Sequence, residues 1–524
     1  MRDLAFLAYL LALFGLGFRR PFLLCLVYVY IDIVAPQRLT YFLLNAFPIS
    51  LAAVALAVLG WMVADDKRDV RVAPRQLLLV LLLVYCGLTT LAADFPLEAL
   101  DKWQWVWKAL AFAAFLPLTL RTRLRIEALL TFMVLSAASI IIVGGIKTLA
   151  SGGGYGQLNL MVDNNSGLYE GSTISTVAVA ILPIIAWLAK YGTIFRQATS
   201  SPSPLHPRAG GGPGAAHSAT EFSATFPASW QLGPRLRGGR TADTPVAGQW
   251  RERFIKLFAL ALGFACLLIP VGTSTRTGLL CIGLVAVLGI RSVRRKGLYL
   301  GALAACALVA VPFLPSTFTA RMNTIKTYQA DESAATRLAV WAWTWEFAKT
   351  HPFGGGFEAY RQNRIVYDLK TADGAPAAPA GPKLEIDQAR AYHSAYFEML
   401  GEQGWPGLAL WLSISLAGLF RMEVLRRRYR NGDDAWAGSL AAALQTAHLV
   451  YLLGAAFIAI AFQPFIYMLV GAQIGLDTYL ARKRAANMPS GFRRPVPVRA
   501  ELVEAPSFSS ATRRPFDKLR ANGN

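Results

Sequence analysis

The chain has 524 residues, of which 55% are hydrophobic and 16% are charged, and its formal net charge is +21. Soluble domains are about a quarter charged, so this composition excludes an ordinary soluble protein and, with its long apolar runs, predicts a polytopic membrane protein. The basic residues fall in short loops between apolar runs and in two unusual insertions. The charge therefore indicates the cytoplasmic bias of basic loops, and we expect no nucleic-acid partner.

Apolar runs long enough to form membrane helices recur along the whole chain, so we predict an all-α fold with about 12 or 13 transmembrane helices. Helices are expected because backbone groups in lipid must be hydrogen-bonded within their own segment. The first two runs, separated by Arg19-Arg20-Pro21, form either two short spans or one broken helix. The runs lie near 4–18, 22–34, 48–64, 77–92, 104–120, 126–149, 173–190, 254–271, 276–290, 297–314, 395–420, 438–460 and 465–481.

Lys and Arg residues in the loops predict the orientation of the chain. The basic loops are separated by even numbers of predicted spans, so all of them can face the cytoplasm together; they are 67–75, 121–125, 190–253, 291–296, 421–430 and 482–484. The periplasmic side of a bacterial inner membrane then receives 93–102, 151–172, 272–275, 315–390 and 463–464.

Six segments follow from this pattern. They are N-terminal membrane helices at 1–198, a disordered cytoplasmic insertion at 199–252, membrane helices at 253–314, a periplasmic loop with interfacial helices at 315–394, membrane helices at 395–482 and a disordered tail at 483–524. The insertion and the tail are polar and lack hydrophobic periodicity, so we expect disorder. Both segments resemble short repetitive elements that are translated in frame, so we assign them no chemistry. The alternative is that their basic residues contact anionic lipid.

Neither a disulfide framework nor a metal site is expected. The five cysteines lie within apolar runs and contain no CxxC pair. Asp331 and Glu332 are adjacent, so on a helix they point in different directions and cannot form an acidic pair for a metal. We therefore expect a protein without a metal or another cofactor.

Polar residues beside membrane spans are the functional candidates, because ionisable groups there are costly. The first candidate is the turn 272–278, Gly-Thr-Ser-Thr-Arg-Thr-Gly, whose hydroxyls and amides at a helix N-terminus can hold an anion. Arg276 adds a planar fork suited to phosphate oxygens, and Ser274 lies beside it. The alternative is that Arg276 extends to the lipid interface while the hydroxyls cap the next helix.

The second candidate is a predicted helix in which Arg337, Trp341 and Trp345 recur every four residues and share one face. This stripe suits a helix at the level of the lipid headgroups, and interfacial anchoring is the preferred interpretation of the tryptophans. Arg337 either joins that anchor or faces a lipid-linked anion. Glycines at 354–356 then break the helix and allow the backbone to approach a ligand or another span.

The third candidate is His393, just before the span that begins near Ala395. A neutral imidazole accepts a proton from a hydroxyl at neutral pH, which is the usual work of a general base. The alternative is a structural histidine. Glu398 and Glu402 follow on the same predicted helix and either orient a partner or are buried and paired.

Weaker candidates complete the outer face. Asp163 and Asn164 lie in an outer loop and offer groups that bind sugar hydroxyls, but clusters of Asp, Asn and Gly are ordinary loop chemistry, which is the favoured interpretation. Arg38, Ser394 and Glu398 are further candidate substrate contacts.

These motifs resemble a known family. Residues 275–278, Arg337 with Trp341, the His-Pro-Phe-Gly-Gly-Gly of 351–356 and the pattern at 393–408 are similar, in order, spacing and sidedness, to the O-antigen ligase/polymerase superfamily. Residues 19–21 and 35–40 resemble more closely the O-glycosylation ligases associated with exosortase A systems. The resemblance covers most of 1–480, apart from the insertion.

The resemblance implies a fold similar to that of C-type glycosyltransferases. It also implies an inverting, metal-independent transfer of a glycan from undecaprenyl diphosphate to a hydroxyl of a lipid, protein or polysaccharide at the periplasmic face of the inner membrane. His393 corresponds to the catalytic base of the family, and Arg276 and Arg337 correspond to arginines that hold the diphosphate. Ser394 stands where the family more commonly has Asn, as in the exosortase-linked subgroup.

Two other functions stay open. A polysaccharide polymerase would use the same site. A transporter or flippase of lipid-linked glycan belongs to a different class, and paired charges within the spans would favour it; few are present.

Overall fold

The structure of the protein is a computed structural model. It describes residues 2–40, 44, 47–67, 70–150, 168–194, 245–293, 295–310, 312, 314, 319, 332–368 and 384–487. Asp163 and Asn164 lie outside the described residues, as do most of the predicted insertion and most of the predicted tail.

Helices dominate the described residues. They are α1 (Arg2–Arg19), α2 (Phe22–Val34), α3 (Pro36–Leu39), α4 (Ile49–Ala64), α5 (Pro74–Leu91), α6 (Pro96–Thr119), α7 (Arg123–Ala150), α8 (Gly171–Tyr191), α9 (Pro245–Gly272), α10 (Arg276–Gly289), α11 (Lys296–Ala310), α12 (Glu332–Thr350), α13 (Ala395–Arg428), α14 (Ala435–Ala455) and α15 (Pro464–Ala486). Strands β1 (Arg364–Asp368) and β2 (Leu384–Gln388) form an antiparallel hairpin in which Arg364 pairs with Gln388. The sequence pattern did not predict this hairpin.

Six of the described helices are long and apolar enough to cross a membrane, namely α5, α7, α8, α9, α13 and α14. The shorter helices α2, α4, α10 and α11 are also apolar. The other predicted spans correspond to α1, α6 and α15, which carry charged residues. The protein is therefore an all-α polytopic membrane protein, as predicted. Helix α9 begins at Pro245, within the last residues of the predicted insertion.

The centre of the bundle is apolar, and its outer helices expose apolar side chains. Nine of the 13 residues of α2 are buried. Helix α9 instead leaves Leu257 64% and Leu260 71% exposed. A helix that is apolar on its exposed face suits a lipid environment, because water would oppose that exposure and hydrocarbon does not.

Arginine–carboxylate pairs connect the helices at the end of the bundle that carries the basic loops. Arg125 of α7 donates two hydrogen bonds to Asp65 after α4, at 2.6 and 2.9 Å. Arg421 of α13 donates two to Asp477 of α15, at 2.7 and 2.9 Å. Bidentate pairs of this kind fix the relative rotation of two helices. Both α6 and α13 run from the opposite end, where the candidate site lies, towards these pairs.

Helix α13 is broken near its start. Gly404 adopts φ 63° and ψ −168°, a conformation outside the helical region. The loop after α12 fills the break: the Trp405 amide donates to the Pro352 carbonyl at 2.9 Å, and the Gly356 amide donates to the Glu402 carbonyl at 2.9 Å. The glycines predicted to allow close backbone approach therefore approach α13, and they hold the end of α12 against it.

Gly404→Ala is expected to destabilise the protein. The new Cβ would lie 2.2 Å from the Pro352 carbonyl oxygen, and the backbone conformation is almost exclusive to glycine. Strain of this type costs about 1–3 kcal/mol. Gly432→Ala is the matched control, because Gly432 also has positive φ but nothing lies within 4 Å of its added Cβ. Thermal unfolding of the purified variants measures the difference, and equal melting temperatures for the two would contradict the close packing at Gly404.

Candidate functional site

His393 lies in the short connection between β2 and α13 and has a strained backbone. Its φ is 51°, in the left-handed region that non-glycine residues rarely adopt. Ser394, the N-cap of α13, is buried and makes no side-chain capping hydrogen bond. Strained positions persist only where the surrounding structure holds them, and they cluster at functional sites.

Helix α12 packs directly against the backbone that carries His393. The Trp341 indole Nε1 donates to the Tyr392 carbonyl oxygen at 2.8 Å, and its ring stacks on Phe397 with centroids 5.1 Å apart. Trp341 therefore packs on the backbone that carries His393, a contact that the predicted interfacial anchoring did not include. The helical period shows which residues share a face but not what that face packs against. Trp345, in contrast, is 47% exposed.

Arg337 lies one helical turn before Trp341, and its charge acts on His393. The pKa of His393 is lowered from 6.5, first by desolvation in the surrounding protein and then by the positive charges of Arg337 and Arg390. Glu170 opposes this shift. His393 is an exposed residue, but its neighbours still disfavour the imidazolium form. The imidazole is thus neutral at pH 7, the state that a general base requires.

The turn that carries Arg276 packs against the start of α8. Ser274 has φ 50°, and Thr275 is the N-cap of α10 without a side-chain capping bond. The hydroxyls of Thr273 and Ser175 are 2.8 Å apart. A Cβ added to Gly171 would lie 3.3 Å from the Cβ of Thr273, so the turn sits closely on α8.

Glu170 links this turn to His393. It is the N-cap of α8, and its carboxylate accepts hydrogen bonds from the Ser172 and Thr173 amides at 3.0 and 2.6 Å. Since Glu170 acts electrostatically on His393, the start of α8 lies near both His393 and the turn of Arg276. The structure therefore brings Arg276, Arg337 and His393 to one end of the bundle.

Arg38 joins the same end through Tyr169. Ala35 has φ 48° and redirects the chain from α2 into α3, which carries Arg38. The Tyr169 hydroxyl donates to the Val34 carbonyl. Burial lowers the pKa of Arg38, and Tyr169 partly offsets that effect.

Residues 260–412 match the model of the O-antigen ligase family. This match covers less than half of the chain and supports the superfamily that the sequence resembles; residues 260–412 are called the ligase domain after it. Arg276, Arg337 and His393 all lie within the matched range. Residues 1–193 match a family of unknown function, DUF5935. No curated protein matches the chain at a significant level.

A cleft of about 630 Å³ opens between the ligase domain and the N-terminal region. Arg38 and Glu398 line it, whereas Arg276, Arg337 and His393 do not. Ala391 and Tyr392, the two residues before His393, form part of its wall. The predicted site residues therefore fall into two adjoining groups, one around His393 and one in the cleft.

Lys102 is the central charge of the cleft, and sequence reasoning missed it. Its ammonium lies 2.8 Å from carboxylate oxygens of both Glu398 and Glu402 and 3.9 Å from Glu358. The second oxygen of Glu398 accepts the Ala461 amide at 2.9 Å. Glu398 and Glu402 are thus buried and paired, one of the two outcomes expected for them.

No local signal could have found this cluster, because Lys102 and Glu398 are 296 residues apart. The three glutamates belong to the ligase domain, while Lys102 belongs to the region of unknown function. Within the described residues, no group of three or more His, Cys, Asp and Glu side chains is arranged to hold a metal ion.

Proposed function

We propose that this protein transfers a glycan from a polyprenyl-diphosphate carrier to an acceptor hydroxyl. The observation that carries the proposal is that the O-antigen ligase match contains His393, held with φ 51° against α12 one helical turn from Arg337, whose charge helps to lower the pKa of the imidazole. A neutral base next to a cation is the combination that this reaction needs. The base sharpens the nucleophile, and the cation stabilises the leaving group.

In the proposed reaction, His393 removes the proton from the acceptor hydroxyl as its oxygen attacks the anomeric carbon. The bond from that carbon to the diphosphate oxygen breaks, and polyprenyl diphosphate leaves with the bonding electrons. Arg276 and Arg337 hold the diphosphate, whose negative charge grows as the bond breaks. Attack opposite the leaving group inverts the anomeric configuration. These roles are filled by side chains and require no divalent ion.

We also propose the location of the protein, its subgroup and its carrier lipid. The asymmetry of the basic loops supports an inner-membrane protein whose site faces the periplasm. Residues 19–21 and 35–40 support membership of the exosortase-linked subgroup, with undecaprenyl diphosphate as the carrier. Arg38, which belongs to the second of these motifs, also lines the cleft beside the ligase domain.

The proposal is tested by giving the purified full chain an undecaprenyl-diphosphate glycan with and without an acceptor. We expect acceptor-dependent release of undecaprenyl diphosphate and a product with the opposite anomeric configuration. Addition of one glycan supports a ligase, and a ladder of products assigns the same site to a polymerase. Movement of the lipid across the bilayer without a glycosidic product would overturn the proposal in favour of a transporter.

The pH dependence of transfer should report the charges around His393. As pH rises through the pKa of His393 the base loses its proton, so kcat/KM should increase, with a midpoint below 6.5. Arg390→Gln removes a nearby cation, which raises the pKa of His393 and should move this rise in kcat/KM, the acidic limb of the profile, to higher pH. Glu170→Gln removes a nearby anion and should move it to lower pH.

Arg427→Gln is the control for these shifts, because the Arg427 side chain is 76% exposed at the other end of α13 and does not act on His393. An acidic limb that stays in place in both the Arg390 and the Glu170 variants would contradict the assignment of His393 as the base.

A further inference from the structure

The cleft is built by two parts of the chain with different matches, together with residues 459–464, which follow the ligase match. The region of unknown function supplies Asp32, Arg38, Glu98, Asp101, Lys102 and Trp105. The ligase domain supplies Glu358, Tyr360, Arg361, Tyr392, Glu398 and Glu402. The cleft is therefore incomplete without the N-terminal region.

Negative charge dominates the cleft. Its lining contains six carboxylates and three basic side chains. Lys102 is already engaged by Glu398 and Glu402, and Arg361 lies 3.8 Å from Glu98. Asp101 is exposed at the rim. Arg38, the third basic side chain, also interacts within the protein. An anionic ligand entering this cleft would therefore lose hydration and face six carboxylates without gaining a free cation from the Lys102 and Arg361 pairs.

Tyr392 is a lining residue of the cleft, and its buried hydroxyl lies beside Gly401. The residue is 1% exposed, and its hydroxyl makes no hydrogen bond within the described residues. Burial, followed by the charges of Glu402, Glu398 and Glu358, raises the pKa of Tyr392 well above 10, so the hydroxyl keeps its proton. A buried donor without a partner is costly, and a ligand hydroxyl would satisfy it.

Aromatic rings complete the lining. Trp105 and Tyr360 are half-buried, and Phe462 is buried beside Lys102. Ligand sites typically combine aromatic surfaces with a few placed polar groups. Together, the rings, the carboxylates that accept hydrogen bonds and the Tyr392 donor suit a molecule rich in hydroxyls. The carboxylates also accept an ammonium group.

We propose that this cleft binds a segment of a sugar chain that carries no anionic group, with the N-terminal region providing one wall. The segment is uncharged or contains amino sugars. This proposal deepens the proposed function, on which it rests for the assignment of the sugar chain to a substrate. Tyr392, the sequence neighbour of His393, lines the cleft, so a chain bound there would lie close to the backbone that carries the proposed base.

Binding is tested with three trisaccharides of matched size: triacetylchitotriose, which is neutral; chitotriose, which is cationic; and trigalacturonate, which is anionic. Saturation-transfer NMR on the full chain should detect the first two and not the third. Equal signals from all three, or no signal from the neutral probe, would overturn the proposal.

Two variants locate the binding. Tyr392→Phe removes one hydrogen bond and should weaken binding of triacetylchitotriose about five-fold. Tyr299→Phe is the matched control, because the Tyr299 hydroxyl donates to Ala286 outside the cleft. The double variant Glu98→Gln/Asp101→Asn should allow trigalacturonate to bind. Wild-type binding of the neutral probe by Tyr392→Phe would place that probe elsewhere and overturn the proposal.

Steady-state kinetics of transfer then show whether the bound sugar chain belongs to the donor or to the acceptor. An increase in KM for the lipid-linked donor in Tyr392→Phe assigns the cleft to the donor, and an increase for the acceptor assigns it to the acceptor. Unchanged values for both contradict the proposal. Trisaccharide binding does not depend on turnover. If the trisaccharides bind as expected but undecaprenyl diphosphate is not released, the proposal for the cleft stands and only the proposed function is refuted.

Discussion

His393→Asn is expected to lower the rate of glycan transfer by about 100- to 10,000-fold, the usual contribution of a positioned general base. Asparagine tolerates the left-handed backbone that His393 adopts, but its amide cannot accept the hydroxyl proton. The substitution therefore removes the base with little change in backbone strain. His393→Ala should give a similar loss of rate with an additional loss of stability, because alanine is strained at this φ.

The measurement is release of undecaprenyl diphosphate at saturating donor and acceptor. His351→Ala serves as a histidine control, since His351 is exposed and its imidazole contacts Thr350 and Phe347 of α12. We expect that variant to keep most of the rate. If His393→Asn turns over as the wild type does, His393 is not the base, and the proposed mechanism fails.

The all-α membrane fold could be predicted, and candidate site residues could be proposed, because their signals are local. Apolar runs indicated the helices, and short motifs drew attention to Arg276, Arg337 and His393. The effect of Glu170 on His393 was not predictable, because Glu170 reaches His393 only through the packing of α8, whereas Arg390 lies three residues before His393 in the same connection.

The cleft could not be predicted from the sequence, for a related reason. A lysine near the start of a helix is ordinary in sequence, and its role becomes visible only in the folded protein, where Lys102 of α6 reaches Glu398 and Glu402 of α13. Trp341 illustrates the same limit on a smaller scale. Its four-residue spacing from Arg337 was correct, but its contact with the Tyr392 carbonyl and Phe397 depends on tertiary packing.

Lys102→Met is expected to destabilise the protein by about 3–5 kcal/mol, because it leaves buried carboxylates without their cation. The side chains of Glu398 and Glu402 are 5% and 0% exposed, and that of Lys102 is 12% exposed, so water cannot replace the lost charge. Folded proteins are stable by only about 5–15 kcal/mol, so this loss should be visible as a large fall in the melting temperature.

A triple variant shows whether charge is the cause. Adding Glu398→Gln and Glu402→Gln to Lys102→Met removes the buried negative charges, and we expect much of the stability to return. Lys349→Met is the matched control, because its ion pair with Glu346 is exposed and such pairs contribute about 0–1 kcal/mol. If Lys102→Met and the Lys349→Met control have the same melting temperature, the cluster is hydrated and does not hold α6 to α13. If the triple variant is also as unstable as Lys102→Met, packing of the lysine stem, and not its charge, joins the N-terminal region to the ligase domain.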